Sequence, residues 1–175
     1  MSFHGAHDEV QDARIYTLPP EPVPIYVSGF GPQATELAAR IGDGFCTMEP
    51  DADLVRAYRE AGGGKRPVQG GIKVCWAETG EAGIDTAHRM WANQGLPGQL
   101  AQTLPRPQDF EAASSLVPRE AMAELIACGP DPECHAGAAR AFVDAGFDEV
   151  YVQQVGGDHA EFFRMWAADV LPALR

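Results

Sequence analysis

A glycine-rich loop contains the residue types in this sequence that best suit ligand binding. Residues 25–45 read IYVSGFGPQATELAARIGDGF, in which a short apolar run is followed by Ser28-Gly29-Phe30-Gly31-Pro32 and then by a helical pattern. Free amide N–H groups and the dipole at the start of a helix favour an anion such as phosphate. Glycine also lets the backbone approach a ligand closely. The loop therefore predicts either a phosphate site or only a tight strand-to-helix turn.

Four cysteines, Cys46, Cys75, Cys128 and Cys134, are the next candidates for chemistry. Five residues separate Cys128 from Cys134, and His135 follows directly. A zinc site built on paired cysteines usually has a shorter spacing and a fourth ligand, and this segment has neither. We therefore predict reduced thiols and no metal site, and we assign no catalytic residue from the sequence.

The charge of the chain argues against two classes of partner. Thirteen basic and 25 acidic side chains give a net charge of −12, and the basic pair Lys65-Arg66 stands alone beside a glycine run. A nucleic-acid-binding protein needs a basic stripe, and an acidic surface disfavours anionic membranes. No apolar run approaches the roughly 18 residues of a membrane-spanning helix, and the amino-terminal residues lack a signal-peptide core. We expect a cytoplasmic protein that binds neither nucleic acid nor membrane.

The elements that must position the loop alternate regularly along the chain. Apolar runs predict strands at 24–30, 44–48, 69–79 and 148–155. Helical periodicity predicts helices at 33–41, 51–61, 81–93, 118–126, 133–145 and 159–174. Repeated strand–helix units predict a parallel sheet with right-handed crossovers. Continuous apolar strands are typical of a sheet that is covered on both faces.

The length of the chain limits the architecture. We predict one domain over 1–175, with a hairpin-like segment and Pro-rich connector at 1–23, βα units at 24–94 and 119–175, and an insertion at 95–118 that contains four prolines. An eight-stranded βα barrel needs about 250 residues. The predicted fold is therefore α/β, a parallel (βα)4 half of a TIM barrel with a helical insertion. Because an open half-barrel exposes edges and an inner face, either a flat sheet is covered on both sides or a second chain completes a barrel.

Several segments together resemble a known family. PIYVSGFGP at 24–32, ARIGDGF at 39–45, GGIKVCWAET at 70–79 and DAGFDEVYVQQVG at 144–156 are similar to the luciferase-like monooxygenase superfamily. Within it they resemble the oxidoreductases that use the deazaflavin coenzyme F-420 and are similar to F-420-dependent glucose-6-phosphate dehydrogenase. The resemblance covers only the C-terminal half of that fold. It implies a homo- or hetero-oligomer that completes the barrel, with a small-molecule cofactor and substrate.

The resemblance also implies site residues. In the family, the loop after this strand contacts the phosphate-bearing side chain of the cofactor. The matching residues here are Ser28, Gly29, Phe30, Gly31, Gln33 and Ala34. Thr47, at the end of the second strand, matches a region that contacts substrate, and Trp76, at the end of the third, is a candidate pocket wall.

The same resemblance argues against a sugar phosphate as substrate. Positions that are basic in the relatives' sugar-phosphate pocket are occupied here by Glu49 or Pro50, Ala101 and Leu125. None of these side chains can bind a phosphate dianion, and Glu49 would repel one. We therefore predict half of an F-420-dependent oxidoreductase that acts on a less polar organic substrate. The alternatives are a non-catalytic half-barrel that dimerises as a structural or binding subunit, and a flavin-dependent monooxygenase component that uses FMN.

Overall fold

The computed structural model describes residues 1–175 as seven β-strands and nine α-helices. The strands are β1 (Phe3–His4), β2 (Glu9–Val10), β3 (Tyr26–Ser28), β4 (Gly44–Thr47), β5 (Val68–Cys75), β6 (Ala127–Cys128) and β7 (Glu149–Gln154). The helices are α1 (Pro32–Ile41), α2 (Ala52–Tyr58), α3 (Gly80–Trp91), α4 (Leu100–Thr103), α5 (Pro107–Ser114), α6 (Met122–Leu125), α7 (Pro132–Asp144), α8 (His159–Met165) and α9 (Leu171–Ala173). No helix combines the length and apolar character needed to cross a membrane.

The main sheet is parallel throughout and is centred on β5. Strand β3 pairs with β4, and β4 pairs with the first part of β5, ending at the Thr47–Gly70 pair. Strand β7 pairs with β5 along six residues, from Gln69–Glu149 to Val74–Gln154. Strand β6 pairs only with the end of β5, where Cys75 lies opposite Cys128. Strands β1 and β2 form a separate antiparallel hairpin.

Helices cover one face of this sheet. Phe45 of β4 stacks on Tyr58 of α2 with ring centres 4.9 Å apart, and both side chains are fully buried. Farther along the sheet, Val74 packs with Phe162 and Trp166 of the C-terminal helical segment. Each fully buried side chain of this size contributes about 1.5–3 kcal/mol to stability. The apolar core therefore lies between the helices and this one face.

The opposite face of the sheet is uncovered. Burial alternates along β7, where Glu149, Tyr151 and Gln153 are exposed and the residues between them are partly buried. Tyr151 alone keeps 62% of its surface accessible. A strand covered on both faces would not alternate in this way. The prediction of a flat sheet covered on both sides is therefore wrong, and the half-barrel alternative describes the fold.

Arg66 stabilises the fold at the amino-terminal edge of the sheet. This edge is opposite the carboxyl-terminal edge, where the glycine loop lies. The Arg66 guanidinium donates to the carbonyl oxygens of Ala39, Gly42, Gly62 and Gly63, which belong to the end of α1 and to the turn after α2. Its charge also lies over the Tyr58 ring, 5.8 Å from the ring centre. One side chain thus joins the first two helices at the point where β4 and β5 begin.

The ends of the chain differ from the sequence-based expectations. Within the segment 1–23 that was expected to hold a hairpin and a connector, only Phe3–His4 and Glu9–Val10 form strands. The closing helix contains a π-helical turn at Trp166–Val170. Within the predicted helix at 159–174, the apolar residues Phe163 and Leu171 are 66% and 49% exposed. An exposed apolar stripe on the last helix indicates that periodicity alone overestimates how much of a helix is buried.

His135 is a buried polar group whose titration should affect stability. The ring is fully buried, its Nε2 atom lies 2.9 Å from the Gly129 carbonyl, and Nδ1 has no partner. Burial lowers the pKa of His135 below its usual value because a charged ring would be desolvated. The neutral tautomer that donates from Nε2 fits these contacts.

Lowering the pH should therefore destabilise the chain through His135. The unfolded chain takes up this proton near pH 6.5, whereas the folded chain resists it. The stabilising contribution is fully present above that pH and is lost as the pH falls toward the lowered folded-state pKa. Denaturant unfolding at pH 7.5, 6.5 and 5.5 should show a smaller slope with pH for His135→Gln. The exposed-site control His159→Gln should keep the wild-type slope, and equal slopes for wild type and His135→Gln would contradict the assignment.

Candidate functional site

The carboxyl edge of the sheet gathers the ends of all the parallel strands. Ser28, Thr47, Cys75 and Gln154 end β3, β4, β5 and β7, and each strand is followed by a loop that leads to a helix. In parallel α/β folds, ligands bind at this edge because the loops and the helix amino termini converge there. The glycine loop predicted from the sequence lies between β3 and α1, at this edge.

The first turn of α1 has free amide groups. Gly31 is the N-cap residue and supplies no side chain, and Pro32 at the first helical position has no N–H. The Thr35 amide and hydroxyl both donate to the Gly31 carbonyl at 3.0 Å. The Gln33 and Ala34 amides precede this first helical bond and have no acceptor within the chain. Two N–H groups and the positive end of the dipole therefore point out of the helix, as an anion site requires.

The other helices that directly follow a strand are built differently. Helices α2, α3, α7 and α8 are each capped by a side chain, supplied by Asp51, Thr79, Asp131 and Asp158. Each of these helices also carries an Asp or Glu in its first turn, and this negative charge already interacts with the positive end of the helix dipole. Helix α1 has neither a side-chain cap nor an acidic residue in its first turn. Its amino terminus is therefore the one left electrostatically available to a ligand.

The two glycines of the loop serve different purposes. A Cβ atom at Gly29 would lie 3.0 Å from the Ala34 Cβ and 3.1 Å from its carbonyl carbon, so a side chain at position 29 would push the helix away from the loop. A Cβ atom at Gly31 would meet no atom within 4 Å, and the Gly31 backbone is extended, with φ −159°. The fold itself does not require glycine at position 31. The open space beside its backbone fits a bound group.

The structure brings the six predicted cofactor residues together on this one turn. Ser28, Phe30 and Gln33 are exposed, with 62% of the Phe30 surface accessible, whereas Gly29 is buried. Gly31 and Ala34 are partly exposed. The exposed backbone and side chains form a continuous surface that includes the two free amides. Their role in cofactor binding stays a prediction.

Thr47 lies away from the uncovered face. It is 1% exposed, its Oγ1 atom has no partner, and it shares the helix-covered face with Phe45 because alternate strand residues point the same way. The neighbours of Thr47, Cys46 and Met48, line a cavity on the uncovered face instead. A substrate contact through Thr47 stays a prediction, and Met48 is the better placed of the two side chains.

Trp76 is held in place through its backbone. The Gln154 side-chain amide accepts from the Trp76 N–H at 2.9 Å and donates to its carbonyl at 3.0 Å. The Trp76 side chain packs against the cluster of Val74 and Phe162 and also lines a shallow cavity of about 350 Å³. This placement leaves its role as a pocket wall a prediction. The pairing with Gln154 could not be inferred from the sequence because it joins residues 78 apart.

Sequence reasoning missed a second feature of this edge, a cavity between β4 and β6. The carbonyl groups of Pro67, just before β5, and of Cys75, at its end, point to the same side of this strand. The Pro67 carbonyl accepts a hydrogen bond from β4, and the Cys75 carbonyl accepts one from the residue that follows β6. The pairs end at Gly70 for β4 and resume at Val74 for β6, so the sheet has a gap. We call this opening of about 450 Å³ the β4–β6 cavity. It is lined by Met48, Lys73, Leu125, Ala138 and Phe142, among others.

Comparison with known proteins decides the family. Residues 1–149 match the sequence profile of the family described as luciferase-like monooxygenase, which is most of the chain. The chain belongs to the luciferase-like monooxygenase family. The resemblance predicted from its sequence motifs is therefore confirmed.

Relatives of this luciferase-like chain include longer proteins. It is 30% identical over 187 residues to an F420-dependent glucose-6-phosphate dehydrogenase of Kineococcus radiotolerans, with 100% of this chain and 55% of the relative covered. It is equally 30% identical over 189 residues to the protein of the same name from Intrasporangium calvum, which it covers to 56%. The chain thus spans about half the length of the relatives it matches.

Solved structures confirm the fold of this luciferase-like chain. It superposes on an F420-dependent secondary alcohol dehydrogenase, solved with an F420–acetone adduct, with a TM-score of 0.80 and 22% identity, covering 100% of this chain and 56% of the other. A second match is the coenzyme F420 dependent tetrahydromethanopterin reductase of Methanopyrus kandleri, with a TM-score of 0.63 and 17% identity, covering 87% of this chain and 51% of the other. The fold is therefore one half of a TIM-barrel-like luciferase-like enzyme, as predicted.

Proposed function

We propose that this chain supplies the C-terminal half of a coenzyme F-420-dependent oxidoreductase and binds a phosphate of the cofactor at the start of α1. The observation that carries the proposal is the uncapped first turn of α1, with free amides at Gln33 and Ala34 and no acidic residue. The names of its relatives support coenzyme F-420 as the cofactor. When bound, a deazaflavin supplies hydride transfer to or from an organic substrate.

The residues of the loop fit a phosphate-bearing group in both shape and charge. Open space beside the Gly31 backbone admits the group, and the Gln33 and Ala34 amides donate to its oxygens. Phe30 exposes an apolar ring next to these donors, where it can cover the less polar part of a ligand. The chain's own contribution in this region is thus to bind and orient the cofactor.

The uncovered sheet face supports the second part of the proposal, completion of a barrel. Strands β3 and β7 each pair with only one neighbour, so both edges of the sheet are available. The open face carries polar side chains such as Gln69, Tyr151 and Gln153, which suit the interior of an enzyme barrel. We propose that another half-barrel covers this face, on the same polypeptide, on a separate chain or from a second copy of this chain.

Ligand titration tests the cofactor assignment. Fluorescence titration of the purified chain should show saturable binding of coenzyme F-420 and weaker binding of FMN. Light scattering on the same sample reports the oligomeric state. Tighter binding of FMN would favour a flavin-dependent component. A folded chain that binds neither compound would favour a non-catalytic half-barrel and would refute the proposal for this chain.

The two loop glycines provide a matched pair of variants. Gly31→Ala should leave the free energy of unfolding within about 0.5 kcal/mol of wild type, since the added methyl group meets no protein atom. It should weaken F-420 binding several-fold because the methyl group occupies the ligand space. Gly29→Ala should instead destabilise the fold by about 1–3 kcal/mol, since Ala34 must move. Denaturant unfolding and F-420 titration of both variants separate packing from binding, and unchanged F-420 affinity in Gly31→Ala would argue against this loop as the site.

A further inference from the structure

We propose that the β4–β6 cavity binds the organic substrate and selects an uncharged, mainly apolar molecule that carries a single carbonyl or hydroxyl group. The inference rests on the proposed function, because it assigns a substrate class to the same half-barrel. The cavity opens beside the carboxyl end of β4, where Met48 and Pro50 line it. Its volume of about 450 Å³ lies within the range of small-molecule sites, roughly 300–1,000 Å³.

The lining of the cavity is predominantly apolar. Ten of its fifteen lining residues are hydrophobic, and they come from the loop after β4, from β5, from the segment that runs from α6 into β6, and from α7. Leu125 and Ala138 stand on the walls contributed by α6 and α7, and Phe142 lies farther along α7. A highly charged or polyhydroxylated molecule would lose more solvation here than these side chains could replace. The lining therefore favours a hydrocarbon framework.

The charges around the cavity disfavour a phosphate group. Lys73 is its single basic lining residue, and its ammonium lies 4.7 Å from the centre of the Trp91 ring, in a cation–π contact. Glu124 also lines the cavity. Pro50 is shared with a neighbouring acidic hollow formed by Glu49, Asp51 and Asp53. A phosphate dianion would meet one ammonium, which already contacts an aromatic ring, together with the Glu124 carboxylate and the acidic hollow beside the cavity, so the cavity disfavours it.

The opening of the cavity offers few polar groups. Pro50 and Leu125 both line the cavity, and neither side chain carries a charge. Leu125 is 41% exposed and offers an apolar surface to the opening. The polar groups that remain, chiefly the Lys73 ammonium and the Gln94 amide, can make hydrogen bonds to one oxygen-bearing group. The cavity thus suits a simple alcohol or ketone.

Saturation-transfer NMR titration of the full chain tests the proposal with two probes, cyclohexanone and glucose 6-phosphate. Cyclohexanone should bind saturably, and glucose 6-phosphate should not. Ala138→Trp, which fills the cavity, should weaken cyclohexanone binding at least tenfold. Equal or tighter binding of glucose 6-phosphate, or unchanged cyclohexanone binding in Ala138→Trp, would overturn the proposal.

Two further variants, each of which introduces an arginine, test the proposal if Ala138→Trp does not fold. Leu125→Arg should weaken cyclohexanone binding several-fold and create measurable binding of glucose 6-phosphate. Leu116→Arg adds the same charge at a site that is 82% exposed and outside the cavity, and it should change neither probe. Identical effects of the two arginines would overturn the proposal.

Titration with F-420 distinguishes a failure of this substrate assignment from a failure of the proposed function. F-420 binding without a saturable cyclohexanone site would overturn the substrate assignment and leave the cofactor assignment intact. A cyclohexanone site that Ala138→Trp removes, in a chain that does not bind F-420, would support the selectivity of the cavity and refute the proposed function.

Discussion

Replacing Gln33 by glutamate should weaken coenzyme F-420 binding at least tenfold, about 1.4 kcal/mol, while leaving the fold at least as stable as wild type. Gln33 is exposed and nearly isosteric with glutamate, so the change adds one negative charge in the first turn of α1. That carboxylate would interact with the free amides and the helix dipole, and it would repel a cofactor phosphate. The same interaction should stabilise the helix by about 0.3–1 kcal/mol.

The opposite signs of these two effects are the reason to prefer this variant. A purely structural turn would gain stability from the new charge and would bind F-420 as before, whereas a phosphate site gains stability and loses affinity. Gln102→Glu makes the same chemical change at an exposed position in the insertion and should alter neither quantity. Fluorescence titration and denaturant unfolding measure both quantities on each variant. Undiminished F-420 affinity in Gln33→Glu would remove α1 from the binding site.

Truncating Arg66 to alanine should lower the free energy of unfolding by about 3 kcal/mol, the largest stability loss that we expect from a single side chain outside the apolar core. Four carbonyl oxygens from the end of α1 and the turn after α2 would lose a charged donor, and the Tyr58 ring would lose its cation. For a chain of this length the loss corresponds to a fall in melting temperature of about 6–12 °C.

Two comparison variants separate geometry from charge. Arg66→Lys keeps the charge, yet a single ammonium cannot reach four carbonyl groups that face a planar guanidinium, so it should recover less than half of the loss. Arg56→Ala removes an exposed arginine whose partner is Asp53 and should change the unfolding free energy by less than about 1 kcal/mol. Similar melting temperatures for Arg66→Ala and Arg56→Ala would show that the carbonyl contacts contribute little.

Local patterns predicted the parts of this fold that depend on local chemistry. The apolar run before Ser28, Pro32 at the helix start and the glycine loop between them specified β3, the turn and α1, and the helix was placed within one residue of its observed beginning. Likewise β7 was predicted over 148–155 and extends over Glu149–Gln154. Strand and helix periods are properties of neighbouring residues, so a sequence carries them directly.

Features that depend on distant pairing were not predictable in the same way. Strand β6 is only two residues long and is specified by its pairing with the end of β5, not by its own period. The β4–β6 cavity, which follows from that pairing, was therefore missed. Its signal in the sequence was Lys73, a charged residue within the apolar run GGIKVCW. A buried or half-buried lysine in a strand is unusual enough to mark a cavity or a partner.

The sequence predicted that free amides at the start of α1 could bind an anion. The observations that favour a bound ligand over a simple turn came from the structure. Only the contacts show that Gly29 packs against Ala34 while Gly31 leaves open space. Only the capping bonds show that the equivalent helices are closed by Asp51, Thr79 and similar residues. Sequence alone could not distinguish a ligand site from a turn at this loop, because both use the same residue types.

The two unpaired edges of the sheet have a consequence for folding. Strands β3 and β7 each present unbonded backbone groups on one side, and such edges recruit further strands from any chain that can supply them. While these edges are uncovered, they are sites at which partly folded chains can pair and aggregate. Any segment that pairs with β3 and β7, whichever polypeptide carries it, should therefore also make this sheet more resistant to aggregation.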